Sequence, residues 1–305
     1  MTAFPVKYEQ EVRNMEWTQS LKLTISYIES HLLTEMTIQE IADTVCLSPF
    51  YFQKGFRIMT GYSVGEYIRQ RRLYLAALES LSGQEKVIDL AYKYGYQTPE
   101  SFTKAFIRFH GVSPAQLRGN ASKIKVFLPL KITVTIQGGN DMDFTVQHMD
   151  PVQVIGFEKS FSEDSSYKEI PQFWSAFSEK CTSKSNSSEV QQVIDSCMVG
   201  EFGICIDDLN DGKQFRYMIA GTYKGGPVPD GMQLYTLPAG SWAKFRCVGP
   251  MPGALQSVNT EIFKSWLPGN PDYEIAQGIS VEWYSLGEMS SPDYESEIWI
   301  PVKEK

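Results

Sequence analysis

The sequence places a lysine between two phenylalanines in two segments that lie fifty residues apart. Segment 48–63 reads SPFYFQKGFRIMTGYS and segment 98–113 reads TPESFTKAFIRFHGVS, and six of their 16 positions are identical, Lys54 and Lys104 among them. Residues 51–118 carry 10 basic and 5 acidic side chains, whereas the whole chain of 305 residues has a net charge of −8. Basic side chains neutralise phosphates, so this locally basic segment indicates nucleic-acid binding.

The pattern of apolar residues around each segment predicts a helix, a tight turn and a second helix. In the first repeat, Ser48 is expected to cap the second helix, with Pro49 at its first position and Gly61 at its end. The second repeat has the same order of signals. We therefore predict two helix-turn-helix motifs, at about residues 37–61 and 86–111, a shape that presents its second helix to the DNA major groove.

A long helix is predicted between the two motifs. The stretch SVGEYIRQRRLYLAALESLSG has apolar residues at helical spacing over roughly 18 residues, about 27 Å at the helical rise. That length approaches the ~34 Å between successive faces of the major groove, so one chain can address two grooves. The basic run at Arg69, Arg71 and Arg72 leaves two alternatives open, contact with phosphate or pairing with acidic residues inside the domain.

Residues 17–118 resemble the AraC/XylS family of bacterial transcription regulators. The resemblance is carried by IADTVCLSPFYFQKGFRIMTGYSVGEYIRQRRL and IDLAYKYGYQTPESFTKAFIRFHGVSPAQLR. It implies an all-α DNA-binding domain over residues 1–118, with a set of exposed, DNA-contacting positions on each recognition helix. These positions are Phe50, Tyr51, Gln53, Lys54 and Arg57 on the first helix, and Pro99, Glu100, Thr103, Lys104 and Arg108 on the second.

The chemistry of these side chains divides their expected roles. Gln53 can pair with adenine, Glu100 can accept from the cytosine amino group, and Phe50 can pack on a thymine methyl. The lysines and arginines are expected to hold phosphates. Many members of the family carry arginine where Lys54 and Lys104 stand, and lysine lacks the planar fork that reads guanine.

The composition changes after Arg118. Residues 119–123 are expected to form a short linker, and residues 121–305 carry a net charge of −9. Strand-like runs such as VQVIGFEKS, FRYMIAGTY and GSWAKFRCV are interrupted by helix-like stretches near 166–180 and 252–267. This alternation predicts an α+β domain with a largely antiparallel sheet. The similarity of EIPQFW to EIFKSW, 92 residues apart, indicates an internal duplication.

Residues 124–305 resemble the GyrI-like effector-binding domain, through HMDPVQVIGFEKSF, LPAGSWAKFRCVGP and SVEWYS. The resemblance implies a multidomain chain in which an all-α double helix-turn-helix domain precedes an α+β domain that binds lipophilic, often cationic, small molecules. Glu282 occupies the position of that family's pocket carboxylate. A carboxylate among aromatic rings is costly to bury unpaired, and a cation relieves that cost. The residues expected to bind ligand are Glu282, Trp174, Phe177, Tyr217, Tyr223 and Tyr284.

The sequence thus predicts a cytoplasmic one-component transcription regulator, with double-stranded DNA, a small-molecule effector and RNA polymerase as partners. It predicts no enzyme, cofactor or metal centre. The five cysteines include no CxxC pair, the three histidines lie far from them, and there is no GxSxG, GxGxxG or Walker motif. No apolar run is long enough to cross a membrane, and no secretory signal is present.

Two alternatives for the second domain stay open at this point. It can be a hydrolase of strained electrophilic small molecules, with Glu282 as the base and a nearby tyrosine. It can also be a protein-binding module.

Overall fold

The computed structural model describes residues 17–45, 47–83, 85–118, 121–132, 142–183, 185–208 and 214–305. The chain divides into two compact units. The first unit comprises residues 1–46 and 60–135, and the second comprises residues 47–59 and 136–305. The second helix of the first predicted motif is therefore part of the second unit.

The described part of the first unit is helical. Its helices are α1 (Trp17–Ser30), α2 (Ile38–Asp43), α4 (Val64–Ser82), α5 (Val87–Lys93), α6 (Pro99–His110) and α7 (Pro114–Leu117). The long predicted spacer helix is α4, and its Leu73, Ala76 and Ala77 share one buried core with Phe102 and Phe106 of α6.

The ends of these helices follow the sequence signals. Thr98 caps α6 by accepting the N–H of Ser101, and Gly111 ends α6 with φ of 80°. Thr37 forms a capping box with Glu40 at the start of α2. A left-handed C-cap favours glycine because a Cβ atom is disfavoured there. The second predicted helix-turn-helix is thus present as α5 and α6.

The helical unit continues beyond the predicted linker. Residues Ala121–Lys123 form a short 3₁₀ turn, and residues 119 and 120 lie outside the described part of the chain. After this turn, the Phe127 ring packs at centroid distances of 5.4 Å from Tyr62, 6.0 Å from Tyr67 and 6.2 Å from Phe109. The Phe127 carbonyl also accepts a hydrogen bond from Arg71. These contacts attach the segment around Phe127 to the first unit.

In the described part of the chain, the second unit consists of a nine-stranded antiparallel sheet and several helices. Its strands are β1 (Phe144–Met149), β2 (Val152–Ser162), β3 (Phe202–Ile206), β4 (Gln214–Thr222), β5 (Gln233–Leu237), β6 (Gly240–Val248), β7 (Tyr273–Ile275), β8 (Ile279–Tyr284) and β9 (Glu295–Glu304). Its helices are α3 (Pro49–Thr60), α8 (Glu163–Thr182), α9 (Ser188–Cys197), α10 (Gly253–Glu261), the π-helical turn Ile262–Trp266, and α11 (Leu267–Gly269). The predicted fold class is confirmed.

The strand order displays the internal duplication. The order is β1-β6-β9-β8-β3-β4-β2-β5, with β7 on β9. In the first half, β2, β4 and β3 are neighbours in that order. In the second half, β6, β9 and β8 are neighbours in the equivalent order, and the two halves meet where β3 pairs with β8. In each half, a strand is followed by helical segments and then by two paired strands, and the first half adds the helix α9 and the second the short strand β7. EIPQFW and EIFKSW lie in the helical segments that follow β2 and β6.

The sheet curves so that its ends approach each other. Strands β5 and β6 lie near opposite ends of the strand order, yet only two residues connect them. One face holds an apolar cluster that joins residues of both ends, Leu237 and Trp242, to the central Ile204 and Val281. Because side chains alternate along a strand, the neighbours of these central residues point to the opposite face.

Candidate ligand-binding site and nucleic-acid interface

Glu282 lies at the junction of the two duplicated halves, on the face opposite the apolar cluster. It follows Val281 on β8 and pairs with Gly203 of β3 on one side and Ile298 of β9 on the other. Paired residues of adjacent strands share a face, so Gly203 and Glu282 lie side by side. Tyr284, two residues further along β8, is on the same face.

The Glu282 carboxylate is the acceptor of a small hydrogen-bond network. The Tyr284 hydroxyl donates to Glu282 Oε2 at 2.8 Å, and the Tyr217 hydroxyl of β4 donates to the same oxygen at 3.3 Å. Trp174 Nε1 of α8 donates to Tyr217 Oη at 2.9 Å, and the Trp174 ring meets the Tyr284 ring edge-on, 5.4 Å between centroids. We call Glu282, Tyr217, Tyr284 and Trp174 the carboxylate cluster.

Both phenols of the cluster are held in their protonated form. Burial raises the pKa of Tyr217 well above its usual value, and the negative charge of Glu282 raises it further. The same two causes, in the same order, raise the pKa of Tyr284. Each hydroxyl therefore acts as a donor to the carboxylate at any ordinary pH. None of the ion pairs found among the described residues includes Glu282, and the two tyrosine hydroxyls are the donors that its carboxylate accepts from.

The structure brings five of the six sequence-predicted ligand residues together. Phe177, one turn after Trp174 on α8, packs edge-on against it, 6.1 Å between ring centroids. Tyr223 lies elsewhere, because it follows the end of β4. Its hydroxyl donates to the Gly226 carbonyl and its backbone N–H to the Gln153 carbonyl. A role for Tyr223 in ligand binding is not supported by these contacts.

Gly203 belongs to the site and was missed by the sequence analysis. A Cβ atom at this position would lie 2.2 Å from Tyr217 Oη and 3.2 Å from Glu282 Oε2. The absence of a side chain thus allows Tyr217 to reach across β3 to the carboxylate. The only signal in the sequence is a glycine within a run of apolar strand residues, which is typical of a close approach by another group.

The second recognition helix, α6, presents the predicted DNA-contacting side chains to solvent. Glu100, Lys104 and Arg108 are exposed, and Thr103 and Pro99 are half-buried. Phe102 and Phe106, on the opposite side of α6, are fully buried in the helical core. One side of the helix is therefore free to enter a major groove while the other packs in the core. Contact of the exposed residues with DNA stays a prediction.

The equivalent helix of the first motif, α3, is different. The expectation that Phe50 and Tyr51 lie exposed is wrong in this structure, where they are 3% and 1% exposed. They pack within the second unit, because the Phe50 ring lies 5.3 Å from Phe215 and the Tyr51 ring 6.4 Å from Phe263. The remaining predicted positions of α3, which are Gln53, Lys54 and Arg57, are half-buried. DNA contact by α3 stays a prediction for another conformation.

Two of the three arginines of the spacer helix pair inside the helical unit. Arg71 is buried and forms an ion pair with Glu29 at 2.8 Å. Arg72 donates to the carbonyl oxygens of Leu32 and Thr34 at 2.7 and 2.8 Å. For Arg71 these contacts favour the alternative of pairing with an acidic residue inside the domain, whereas Arg72 binds backbone carbonyls, which neither alternative named.

In the described part of the chain, no three His, Cys, Asp or Glu side chains cluster as metal ligands do. Among the same residues, no helix is both long and apolar enough to cross a membrane.

Comparison with known proteins gives a match for each part of the chain. Residues 145–302 match the family model described as integron-associated effector binding protein, and residues 30–120 match a helix-turn-helix domain model. Regulatory protein SoxS of Salmonella typhimurium is 34% identical over 104 residues, which are 34% of this chain and 97% of that protein. The transcriptional regulator YbfP of Bacillus subtilis is 34% identical over 104 residues, but the match spans only 35% of its length.

A solved structure of a protein bound to tetraphenylphosphonium resembles about half of the chain. It is 22% identical, with a TM-score of 0.43, and the match covers 53% of this chain and 94% of that one.

Proposed function

Because the chain belongs to the family of integron-associated effector-binding proteins and carries an AraC-type helix-turn-helix domain, we propose that it is a transcription regulator that senses a lipophilic cation at Glu282. In this proposal the cation binds at the carboxylate cluster, and DNA is bound through the recognition helices. RNA polymerase is the partner whose activity at the promoter responds to this DNA binding.

The observation that carries the proposal is a carboxylate that faces aromatic side chains and lacks a cationic partner among the described residues. Glu282 is half-buried, and its contacts are the hydroxyls of Tyr217 and Tyr284. A carboxylate in such surroundings is less well solvated than in water, and a cation that replaces the lost solvation is favoured. The rings of Trp174, Tyr284 and Phe177 attract cations through their faces. A neutral ligand of the same shape gains the apolar contact alone.

The DNA side of the proposal is supported by α6. Its exposed Lys104 and Arg108 can neutralise phosphates, while Glu100 and Thr103 have the chemistry to contact base edges. Replacing Lys104 with Ala is expected to weaken binding of a mixed-sequence duplex and to reduce its salt dependence by about one phosphate contact.

The test of cation sensing compares two ligands that differ in charge and little in shape, methyltriphenylphosphonium and triphenylphosphine oxide. Isothermal titration of the full chain is expected to show tighter binding of the cation. Glu282→Gln keeps the size of the side chain and a carbonyl acceptor for the tyrosines, and we expect it to weaken cation binding about tenfold or more. Binding of the neutral oxide should change little.

Glu288→Gln is the matched control, because Glu288 is an exposed carboxylate whose partner is the hydroxyl of Ser290. Equal losses for both ligands in Glu282→Gln would contradict a role for charge at this site. So would a loss of cation affinity in the Glu288 control.

A second candidate function rests on the same two tyrosines. Tyr284 and Tyr217 both donate to one carboxylate oxygen, Glu282 Oε2. This pairing of a carboxylate with phenols suits hydrolysis of a strained electrophile, in which the carboxylate activates water and a phenol donates a proton to the leaving group. Turnover of an epoxide or an activated ester by purified protein, abolished in Glu282→Gln, would support the enzyme. Binding without turnover would support the sensor.

A further inference from the structure

The side of α3 that a recognition helix would present to DNA is covered by other parts of the protein. Several of the amide and side-chain partners of α3 lie on neighbouring parts of the second unit. The backbone N–H of Phe50 donates to Asp207 Oδ2 at 2.8 Å, which places a carboxylate at the N-terminus of α3. The buried Tyr51 hydroxyl donates to the Ile279 carbonyl of β8.

The basic residues of α3 are also engaged. Lys54 Nζ lies 3.5 Å from Ser280 Oγ on β8, and it sits over the Phe263 ring at 5.9 Å. The guanidinium of Arg57 stacks on the Tyr167 ring of α8, 4.4 Å from its centroid. The two side chains of α3 predicted to hold phosphate are thus turned toward β8 and α8.

The internal repeat supplies a comparison within the chain. Position by position, Phe50 corresponds to Glu100, and Lys54 to Lys104. Glu100 and Lys104 are exposed on α6, whereas Phe50 is buried and Lys54 half-buried on α3. The two helices arise from the same motif, so the difference comes from what covers α3. In the conformation seen here, α3 cannot place Phe50 or Tyr51 against a base pair.

The covering surface is continuous with the carboxylate cluster. Ser280, which Lys54 contacts, and Glu282 are two residues apart on β8 and share one face, a spacing of about 7 Å. Cys205 of β3 lies on that face as well. It contributes to raising the pKa of both Tyr51 and Tyr217, behind burial as the main cause. Cys205 pairs with Tyr217 on one side and with Ser280 on the other, so it lies between the carboxylate cluster and the residue that Lys54 contacts.

We propose that docking of α3 on β8 and α8 holds the protein in a state of low DNA affinity, and that a cation at Glu282 releases the helix. This inference rests on the proposed function, because it couples that site to DNA binding. The coupling is electrostatic. The negative charge of Glu282 attracts the Lys54 ammonium while the site is empty, and a bound cation removes that attraction.

A ligand shifts the equilibrium only by its difference in affinity for the two states. If the two-residue spacing of about 7 Å along β8 is taken as the order of the charge separation, the lost attraction corresponds to a shift of about threefold in the docking equilibrium.

The first experiment tests the docking without any ligand. Tyr167→Ser with Asp207→Asn removes the stacking partner of Arg57 and the charge at the N-terminus of α3. It changes no residue predicted to contact DNA and none of the carboxylate cluster. Binding of a 40-base-pair mixed-sequence duplex is measured against salt concentration for the full chain. Release of α3 adds Lys54 and Arg57 as phosphate contacts, so the slope of log K against log salt should steepen by about 2.

Hydrogen exchange shows whether the variant is folded and which helix has moved. Amides of Pro49–Thr60 should exchange faster in the variant, while those of Pro99–His110, the matched helix, should not change. Adding Lys54→Ala to the variant should reduce the slope again by about 1. An unchanged slope, with the two helices exchanging as in the wild type, would overturn the docking.

The second experiment adds methyltriphenylphosphonium at saturation to the wild type. The expected result is a steeper salt slope and faster exchange in Pro49–Thr60, absent in Glu282→Gln and with triphenylphosphine oxide. If calorimetry shows that the cation does not bind, the proposed sensing function is overturned, while the experiment with the double variant still tests whether docking of α3 lowers DNA affinity. If the cation binds and the slope stays unchanged, the coupling is overturned while the sensor stands.

Discussion

The replacement Gly203→Ala tests whether the carboxylate cluster depends on the missing side chain of β3. The new Cβ atom would lie 2.2 Å from Tyr217 Oη and 3.1 Å from its Cζ atom. Because an ordinary contact is about 3.4 Å or longer, the phenol must move by roughly 1 Å. Tyr217 is 1% exposed, so it has little room for this movement.

The cost of the replacement follows from these contacts. Overpacking in a filled core costs about 1–3 kcal/mol. Loss of the bonds from Tyr217 to Glu282 and from Trp174 to Tyr217 costs about 1 kcal/mol each. We expect a loss of about 3 kcal/mol in the free energy of unfolding of the second unit, or about 10 °C in Tm. Affinity for methyltriphenylphosphonium should fall together with stability.

A double-mutant cycle with Tyr217→Phe separates the clash from a general effect of the extra methyl group. Without the hydroxyl, the closest approach to the alanine becomes the 3.1 Å contact with Cζ, which a small shift relieves. Gly203→Ala should therefore cost about 1 kcal/mol in the Tyr217→Phe background, which gives a coupling of about 2 kcal/mol. Thermal and urea unfolding of the four proteins measure it. Additive losses, or a Gly203→Ala protein as stable as the wild type, would refute the close approach of Tyr217 across β3.

Three further predictions concern stability. Arg71→Met should destabilise the first unit by about 3 kcal/mol in urea unfolding, because it leaves the Glu29 carboxylate without its buried partner; a loss below 1 kcal/mol would contradict this. Met198 has φ of 54°, so Met198→Gly should raise the stability of the second unit by about 0.5–1 kcal/mol, and a lower Tm would argue against strain there. His110 accepts the N–H of Lys125 through Nδ1, and burial lowers its pKa. The folded protein thus resists protonation of His110, so stability should fall as the pH drops below about 6.5, and His110→Gln should flatten that fall, as thermal unfolding at pH 5 and pH 8 would show.

The sequence predicted best what depends on local and repeated signals. The cap at Thr98 and the stop at Gly111 were predicted because they require only neighbouring residues, and the structure has both. The duplication in the second unit was predicted from two short matching segments, and the symmetric meeting of β3 and β8 confirms it. Glu282, Tyr217 and Tyr284 were predicted through a family resemblance, and the structure joins them by hydrogen bonds.

The sequence failed where a position is defined by contacts between distant segments. Tyr223 has the same chemistry as Tyr217, but it follows the end of β4, and only the strand register separates the two. Gly203 enters the site only because β3 lies between Tyr217 and Glu282. Phe50 and Tyr51 occupy positions that are exposed in the second repeat, and no local signal tells that Asp207 and Ile279, more than 150 residues away, cover them.

The acidic side chains of the second unit include one, Asp207, that occupies the N-terminus of α3. A helix N-terminus presents free N–H groups and a positive dipole end, which is why it binds phosphates. In α3 that position is taken by the Asp207 carboxylate, which accepts the N–H of Phe50. A carboxylate and a DNA phosphate compete for the same donors, and one must leave before the other can bind. The acidic part of the chain, with its net charge of −9, thus offers α3 the same kind of partner as the DNA backbone.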